Sequence, residues 1–83
     1  MYRLKITARA RRDLKRIRQI YEREVNQALE DIKEDPYIGK PLKEDLLNYL
    51  SYRIGIHRIV YIIHEKDKLV EIITTGHRSS VYS

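Results

Sequence analysis

Residues 51–64 read SYRIGIHRIVYIIH, and the strand and turn preferences of these residues indicate the fold. It contains two runs rich in Ile, Val and Tyr, Ser51–Ile56 and Arg58–His64, around a break that contains a glycine. Because β-branched and aromatic residues favour strands and glycine favours turns, the stretch predicts a β-hairpin. The charged segment Glu65–Lys68 predicts the tip of a second hairpin, which leads into a strand over Leu69–Thr75.

The first part of the chain begins with a predicted strand and continues as helix. Tyr2–Ile6 alternates apolar and basic residues with a period of two, as a half-buried strand does. Thr7 is a suitable helix N-cap, and from Ala10 onward apolar residues recur at helical spacing until the Asp-Pro pair at 35–36. The positions of this apolar stripe are Leu14, Ile17, Tyr21, Val25, Ala28, Leu29 and Ile32.

One straight helix over this whole pattern would overhang so small a core, so we predict two helices that fold back near Ile20–Glu24. Pro36–Pro41 is a predicted loop, and Leu42–Leu50 is a predicted short helical turn. The result is an α+β fold in a single domain, residues 1–83, with the order β-α-α-β-β-β. Its two helices pack on one face of an antiparallel sheet, and the other, concave face is free to bind a ligand.

Composition limits the class of protein. The chain has 83 residues with seven Tyr and neither Phe nor Trp, so its core is small and much of its aromatic surface carries a polar tip. Because there is no Cys, disulfides and thiolate metal sites are excluded. No signal peptide and no apolar run of membrane-spanning length is visible, and we therefore expect a cytoplasmic protein.

Charge is unevenly distributed and favours an anionic partner. The net charge is +5, and Arg3 to Arg23 contains nine Lys or Arg against two acids. From Glu24 to Asp45 the balance reverses, with seven acids against three lysines. A basic segment of this kind is common on a solvated helix face, and it also suits nucleic acid.

Several short strings stand in a fixed order across almost the whole chain. The hairpin holds YRIGIHRIVY at 52–61, and the last residues hold GHR at 76–78 followed by VY at 81–82. Before them stand DLK at 13–15, inside the first predicted helix, and GKPL at 39–42, after the second. In this order and spacing the strings resemble the RelE/ParE superfamily of toxins from type II toxin-antitoxin systems.

The resemblance implies two different activities on one fold. The RelE branch cleaves messenger RNA in the ribosomal A site, whereas the ParE branch inhibits DNA gyrase. We favour a ribosome-dependent messenger-RNA endoribonuclease, because Arg58, Arg78 and Tyr82 are all present and the net charge suits RNA. A gyrase inhibitor that acts by protein contact and a non-catalytic nucleic-acid-binding module are the alternatives.

Cleavage by the RNA 2′-hydroxyl needs a base, cationic donors for the phosphorane charge and an acid for the leaving oxygen, and it needs no metal. The resemblance assigns the phosphate-clamping role to Arg58 and a second catalytic role to Arg78. Tyr82 corresponds to the C-terminal tyrosine that stacks on a base or assists proton transfer, and Tyr61 adds a second phenol on the strand of Arg58. His77 has the unperturbed pKa, about 6.5, that suits acid-base work.

One departure from the family concerns the general base. Where well-known RelE-type enzymes carry lysines, residues 49–51 read YLS. Arg53 replaces the charge but not a titrating amine, so proton transfer would fall to His77 or Tyr82, or catalysis would rest mainly on positioning and charge stabilisation. The predicted phosphate-binding residues beside the catalytic ones are Arg53, Lys43 and Lys40.

A toxin of this kind implies a cognate acidic antitoxin, similar to RelB, in a tight complex. An acidic amphipathic helix could lie along Arg9 to Arg23 or cover Arg58 and Arg78. The ribosome and messenger RNA are the other expected partners. No cofactor, metal or membrane is required, and homo-oligomerisation is not indicated.

Overall fold

The fold is α+β, as predicted. The computed structural model describes residues 1–42 and 48–77, with the backbone alone for His77. Its elements are β1 Arg3–Ile6, α1 Ala8–Glu34, β2 Lys40–Pro41, β3 Tyr49–Ile54, β4 His57–His64 and β5 Leu69–His77, with single 3-10 turns at Pro36–Ile38 and Glu65–Asp67. The helical turn predicted for Leu42–Leu50 lies mostly outside the described residues, and its last two residues belong to β3. The predicted loop over Pro36–Pro41 contains a 3-10 turn and β2, a fifth strand that the prediction lacked because two residues are too few to show strand alternation.

The sheet is mixed, which corrects the prediction of an antiparallel sheet. Its five strands lie in the order β1-β5-β4-β3-β2. The two predicted hairpins give antiparallel pairs, β3 with β4 and β4 with β5, but β1 pairs with β5 in parallel. The alternation of apolar and polar residues does not show whether two strands pair in parallel or antiparallel. A hairpin fixes that direction only for strands that are consecutive in the chain. The direction of β1 depends on the long helical connection instead.

The helical region folds back on itself within the predicted interval. The structure has one helical element of 27 residues, α1, which is interrupted at Tyr21 by non-helical dihedral angles (φ −122°, ψ 43°). The backbone N–H of Tyr2 donates to the carbonyl oxygen of Lys33 at 3.1 Å, whereas Thr7 caps the other end of α1. The chain from Tyr2 to Thr7 spans at most about 20 Å, and a straight helix of this length would span about 40 Å. The two halves of α1 therefore lie side by side, as the prediction of two helices required.

The core lies between α1 and one face of the sheet. The predicted apolar stripe of α1 is buried, except that Tyr21 is half-buried at the bend. Each large side chain buried in this way contributes roughly 1.5–3 kcal/mol. Within the described part of the chain, no helix combines the length and the apolar character needed to cross a membrane. The buried core residues are Ala10, Leu14, Ile17, Val25, Ala28, Leu29, Ile32, Ile54, Ile59, Tyr61, Val70 and Ile72.

Both ends of α1 lie where the sequence predicted, and Thr7 is the predicted N-cap. The hydroxyl oxygen of Thr7 accepts from the backbone N–H of Ala10 at 3.2 Å, which satisfies one of the free donors of the first turn. At the other end the helix stops at Glu34, and the N–H of Asp35 donates to the carbonyl oxygen of Asp31. The next residue is Pro36. Because proline has no backbone N–H, it cannot continue the hydrogen bonds of the helix.

Tyr61 belongs to the core and not to a ligand site, which corrects its place among the candidate phenols. It is fully buried, and its hydroxyl donates to the carbonyl oxygen of Pro36 at 2.6 Å. Burial raises the pKa of Tyr61 to about 12, so the phenol stays protonated and keeps this bond at neutral pH. The bond fixes the turn after α1 against β4 and leaves no room for a side chain at Gly39.

An exposed clasp centred on Glu65 joins three segments. The hydroxyls of Tyr2 and Tyr37 donate to its carboxylate, and Lys68 Nζ lies 2.6 Å from Oε1. The hydrogen bond from Lys68, followed by the one from Tyr37, lowers the pKa of Glu65 from 4.5 to about 2. The clasp therefore ties β1 and the turn after α1 to the tip between β4 and β5.

We expect Gly39→Ala to destabilise the protein by about 1–3 kcal/mol, as overpacking of a filled interior does. A Cβ at this position would lie 2.1 Å from Tyr61 Oη and 3.0 Å from the carbonyl oxygen of Ser51. Chemical denaturation measures the free energy of unfolding. Lys40→Ala, one residue on and exposed, is the matched control and should change it by less than about 0.5 kcal/mol. Equal stability of Gly39→Ala and wild type would contradict the packing described for Tyr61.

We expect Glu65→Gln to lower the melting temperature at pH 7, with a difference from wild type that disappears in acid. The pKa of Glu65 is depressed from 4.5 to about 2, so its stabilising effect is complete above pH 4.5 and is lost as the pH falls towards 2. Thermal unfolding between pH 2 and 7 measures the difference. Glu34→Gln, exposed on the last turn of α1, is the control. A difference that stayed constant over this pH range would rule out the clasp as its cause.

Candidate functional site

A cleft on the face of the sheet opposite α1 gathers three of the predicted cations. In the β3–β4 hairpin, Arg53 pairs with Arg58 and Ser51 with Val60, so these side chains share one face. Tyr52 and Ile54 alternate with them and pack on the core. The cleft has a volume of about 310 Å³, and its lining residues are Ile38, Lys40, Ser51, Tyr52, Arg53 and Arg58.

Arg58 forms the floor of this cleft. Only 8% of the residue is exposed, and its Nη1 donates to the hydroxyl oxygen of Ser51 at 3.3 Å. Its partner on β5 is Gly76, which has no side chain to fill the space opposite the guanidinium. The predicted concave face is thus recessed at this point, and Arg58 is held in place by its neighbours rather than extended into solvent.

Arg53 and Lys40 stand at the rim of the cleft. Both are exposed, and Arg53 Nε donates to the carbonyl oxygen of Gly55 at 3.1 Å, which orients its guanidinium. Lys40 pairs with Ser51 across β2 and β3 and so shares the face of the two arginines. None of the described lining residues is acidic. Three cations around one cleft favour an anion with several oxygens, such as a phosphate.

The remaining predicted site residues are placed only in part. Lys43, Arg78 and Tyr82 lie outside the described residues. His77 is described by its backbone, which pairs with His57 on β4 next to the pair of Arg58 and Gly76. The imidazole of His57 lies on the other face, where its ring meets Tyr21 edge to face with centroids 5.9 Å apart.

Sequence reasoning missed the part that Ser51 plays. The prediction mentioned Ser51 only as one of the positions where RelE-type enzymes carry lysine. In the structure Ser51 is 1% exposed, and its hydroxyl oxygen accepts a hydrogen bond from Arg58. The register of the β3–β4 hairpin was the available signal, because it places the two residues on one face. Across the residues that the structure describes, no three His, Asp or Glu side chains are grouped as metal ligands.

Comparison with known proteins agrees with this architecture. A family described as "ParE toxin of type II toxin-antitoxin system, parDE" matches residues 4–82. Toxin RelG of Mycobacterium tuberculosis (strain ATCC 25618 / H37Rv) is 34% identical, with 98% of this chain and 95% of the relative covered. Toxin RelE of the same organism is 39% identical, with 98% and 86% covered.

A solved structure shares the fold. The toxin-antitoxin complex RelBE2 from Mycobacterium tuberculosis contains a chain that superposes with a TM-score of 0.77 at 34% identity, over 93% of this chain and 98% of that one. The family match covers nearly the whole chain, and both relatives exceed the identity at which a common fold and family follow. The chain therefore belongs to the RelE/ParE superfamily of toxins from type II toxin-antitoxin systems.

Proposed function

We propose that this toxin is an endoribonuclease that cleaves messenger RNA on the ribosome and so inhibits translation. The proposal is based mainly on the cleft. Arg58 is buried and hydrogen-bonded there, Arg53 and Lys40 line the same cleft, and none of its described lining residues is acidic. A guanidinium held in this way offers two parallel N–H donors to a phosphate. The net charge of +5 supports a partner as anionic as the ribosome.

In the proposed reaction the RNA 2′-oxygen attacks the adjacent phosphorus. The O2′–P bond forms, the P–O5′ bond breaks, and the products are a 2′,3′-cyclic phosphate and a 5′-hydroxyl. Arg58 donates to the non-bridging oxygens, whose negative charge increases in the phosphorane-like transition state. Because Ser51 already fixes its guanidinium, little reorganisation is needed when the charge develops. Arg53 and Lys40 bind the neighbouring phosphates and set the register of the strand.

In this proposal, groups at and after the end of β5 transfer the protons. A base must remove the proton of the 2′-hydroxyl, and an acid must supply one to the 5′-oxygen. His77 follows directly on Gly76, the partner of Arg58 in the sheet, and its unperturbed pKa is near neutrality. Arg78 and Tyr82, a few residues further along the chain, are proposed to add charge and base stacking.

A second function, inhibition of DNA gyrase by protein contact, is favoured by one specific observation. The family that matches residues 4–82 is described as a ParE toxin. In that case the cleft would be a contact surface, and loss of a single guanidinium would weaken toxicity only modestly. Both functions imply an antitoxin, because the similar structure RelBE2 is a toxin-antitoxin complex. We propose an acidic antitoxin that covers the basic half of α1 or the cleft.

We expect Arg58→Ala to lower the rate of messenger-RNA cleavage on programmed ribosomes by about 10²–10³-fold, as loss of one transition-state donor does. Arg58→Lys should recover little, because an ammonium cannot grip two oxygens. Arg11→Ala, an exposed arginine on α1, is the control for lost charge. Circular dichroism establishes that each variant is folded. Growth arrest that persists in Arg58→Ala, with replication stalled and no RNA cut, would favour gyrase; RNA binding without either effect would indicate a binding module.

We expect the product of the neighbouring reading frame to bind this toxin tightly and to associate more slowly as salt increases. The first half of α1 presents Arg12 and Arg16 to solvent, and opposite charges accelerate association at low ionic strength. Charge reversal of both residues to Glu should reduce the association rate about tenfold or more. Lys66→Glu, on the hairpin tip, is the control. Binding that is insensitive to salt and to both changes would contradict an electrostatic interface.

A further inference from the structure

The strand that leads into the proposed site extends past its neighbour. The last pair of β1 with β5 is Ile6 with Ile72, whereas β5 continues to His77. On its other side β5 keeps β4 as a partner through the pairs that contain Arg58 and His57. The outer edge of β5 after Ile72 therefore faces α1 instead of a strand.

Two side chains from the start of the helical region take the place of the missing strand. The hydroxyl oxygen of Thr7 lies 2.9 Å from the carbonyl oxygens of both Ile72 and Ile73, which share its single proton. Asp13 Oδ2 then accepts from the backbone N–H of Thr75 at 3.3 Å and from the hydroxyl of Thr74 at 3.1 Å. The outer edge of β5 is thus hydrogen-bonded up to the residue before Gly76.

The ladder on the inner side is irregular at the same place. The register between β4 and β5 shifts between Val60 and Tyr61, so that Ile73 is an extra residue in β5. An extra residue bends a strand and weakens the local pairing. Pairing with β4 alone therefore does not fix the position of the end of β5. Hydrogen bonds on the edge of β5 that faces away from β4 must also hold it.

Asp13 has the properties needed to hold the end of β5. Its side chain is 17% exposed, and its second oxygen lies 3.3 Å from Arg16 Nη2. A carboxylate binds a backbone N–H more strongly than a neutral acceptor does. Asp13 also lines a second cavity, on the helical side of the sheet, together with Arg16, Ile17, His57, Thr75 and Gly76.

We propose that Asp13 is a positioning residue: through Thr74 and Thr75 it holds the end of β5, so that Gly76 and His77 lie opposite Arg58 and His57. This inference rests on the proposed function, because the position of these residues matters for RNA cleavage. Asp13 itself stands on α1, on the other side of the sheet from the cleft, and touches no substrate. A displacement of about 1 Å at a reacting group can cost about 10²-fold in rate.

The test compares Asp13→Ala and Asp13→Asn in steady-state RNA cleavage on programmed ribosomes. Asp13→Ala removes the oxygen that accepts both hydrogen bonds, and kcat should fall about tenfold or more while KM stays within about twofold, since the phosphate ligands remain. Asp13→Asn keeps one carbonyl acceptor and should recover most of kcat. In the same way Thr74→Val should lower kcat and Thr74→Ser should restore it. Gln19→Ala, exposed and uncharged on the same half of α1, is the control.

A second measurement is independent of activity. Amide hydrogen exchange at Thr75 should accelerate about tenfold or more in Asp13→Ala and remain close to wild type in Gln19→Ala. Unchanged exchange would overturn the inference, and so would accelerated exchange with wild-type kcat. If the wild-type protein cuts no RNA, the proposed function fails, and the contribution of Asp13 to cleavage fails with it. The exchange data would still show whether Asp13 holds the end of β5. Failure of the proposed function and failure of this inference can therefore be distinguished.

Discussion

The bend of α1 at Tyr21 determines how the other elements of the structure can pack. It brings Lys33 back to Tyr2, so that both halves of the helix cover the same face of the sheet. A small chain can bury one continuous core only if its apolar stripe is folded in this way, because a straight helix would leave one half without a partner. The ring of Tyr21 then packs against His57, where the β3–β4 hairpin turns. One consequence is that α1 leaves the opposite face of the sheet uncovered.

On that opposite face, the cleft brings together like charges that repel one another. Burial of the Arg58 guanidinium costs desolvation energy, and Arg53 directly across the hairpin adds to the cost. An anion bound between the two guanidiniums would offset the repulsion between them. Ser51 accepts a hydrogen bond from Arg58 and holds the guanidinium still.

Local chemistry in the sequence was enough to predict most of the elements. The cap at Thr7, the end of α1 before Pro36, the apolar stripe and both hairpins are all confirmed. Each depends on residues close together in the chain, where dihedral preference and periodicity act directly. The errors have a different origin, and they include β2, a short strand inside the predicted loop, and the start of β3 inside the predicted helical turn. The parallel pairing of β1 and the burial of Tyr61 both depend on contacts between segments far apart in sequence.

The same distinction applies to the candidate site. The order of residues is enough to show which groups are available: guanidiniums on a predicted hairpin, a basic half of the helix, and a histidine after Gly76. The short strings and their spacing are enough to indicate the family. That Arg53, Arg58 and Lys40 share one cleft, that Ser51 holds Arg58, and that Asp13 reaches the end of β5 became visible in the folded chain. Strand register, a bulge and the path of a bent helix fix these distances, and each of them results from the packing of the whole chain rather than from a local preference.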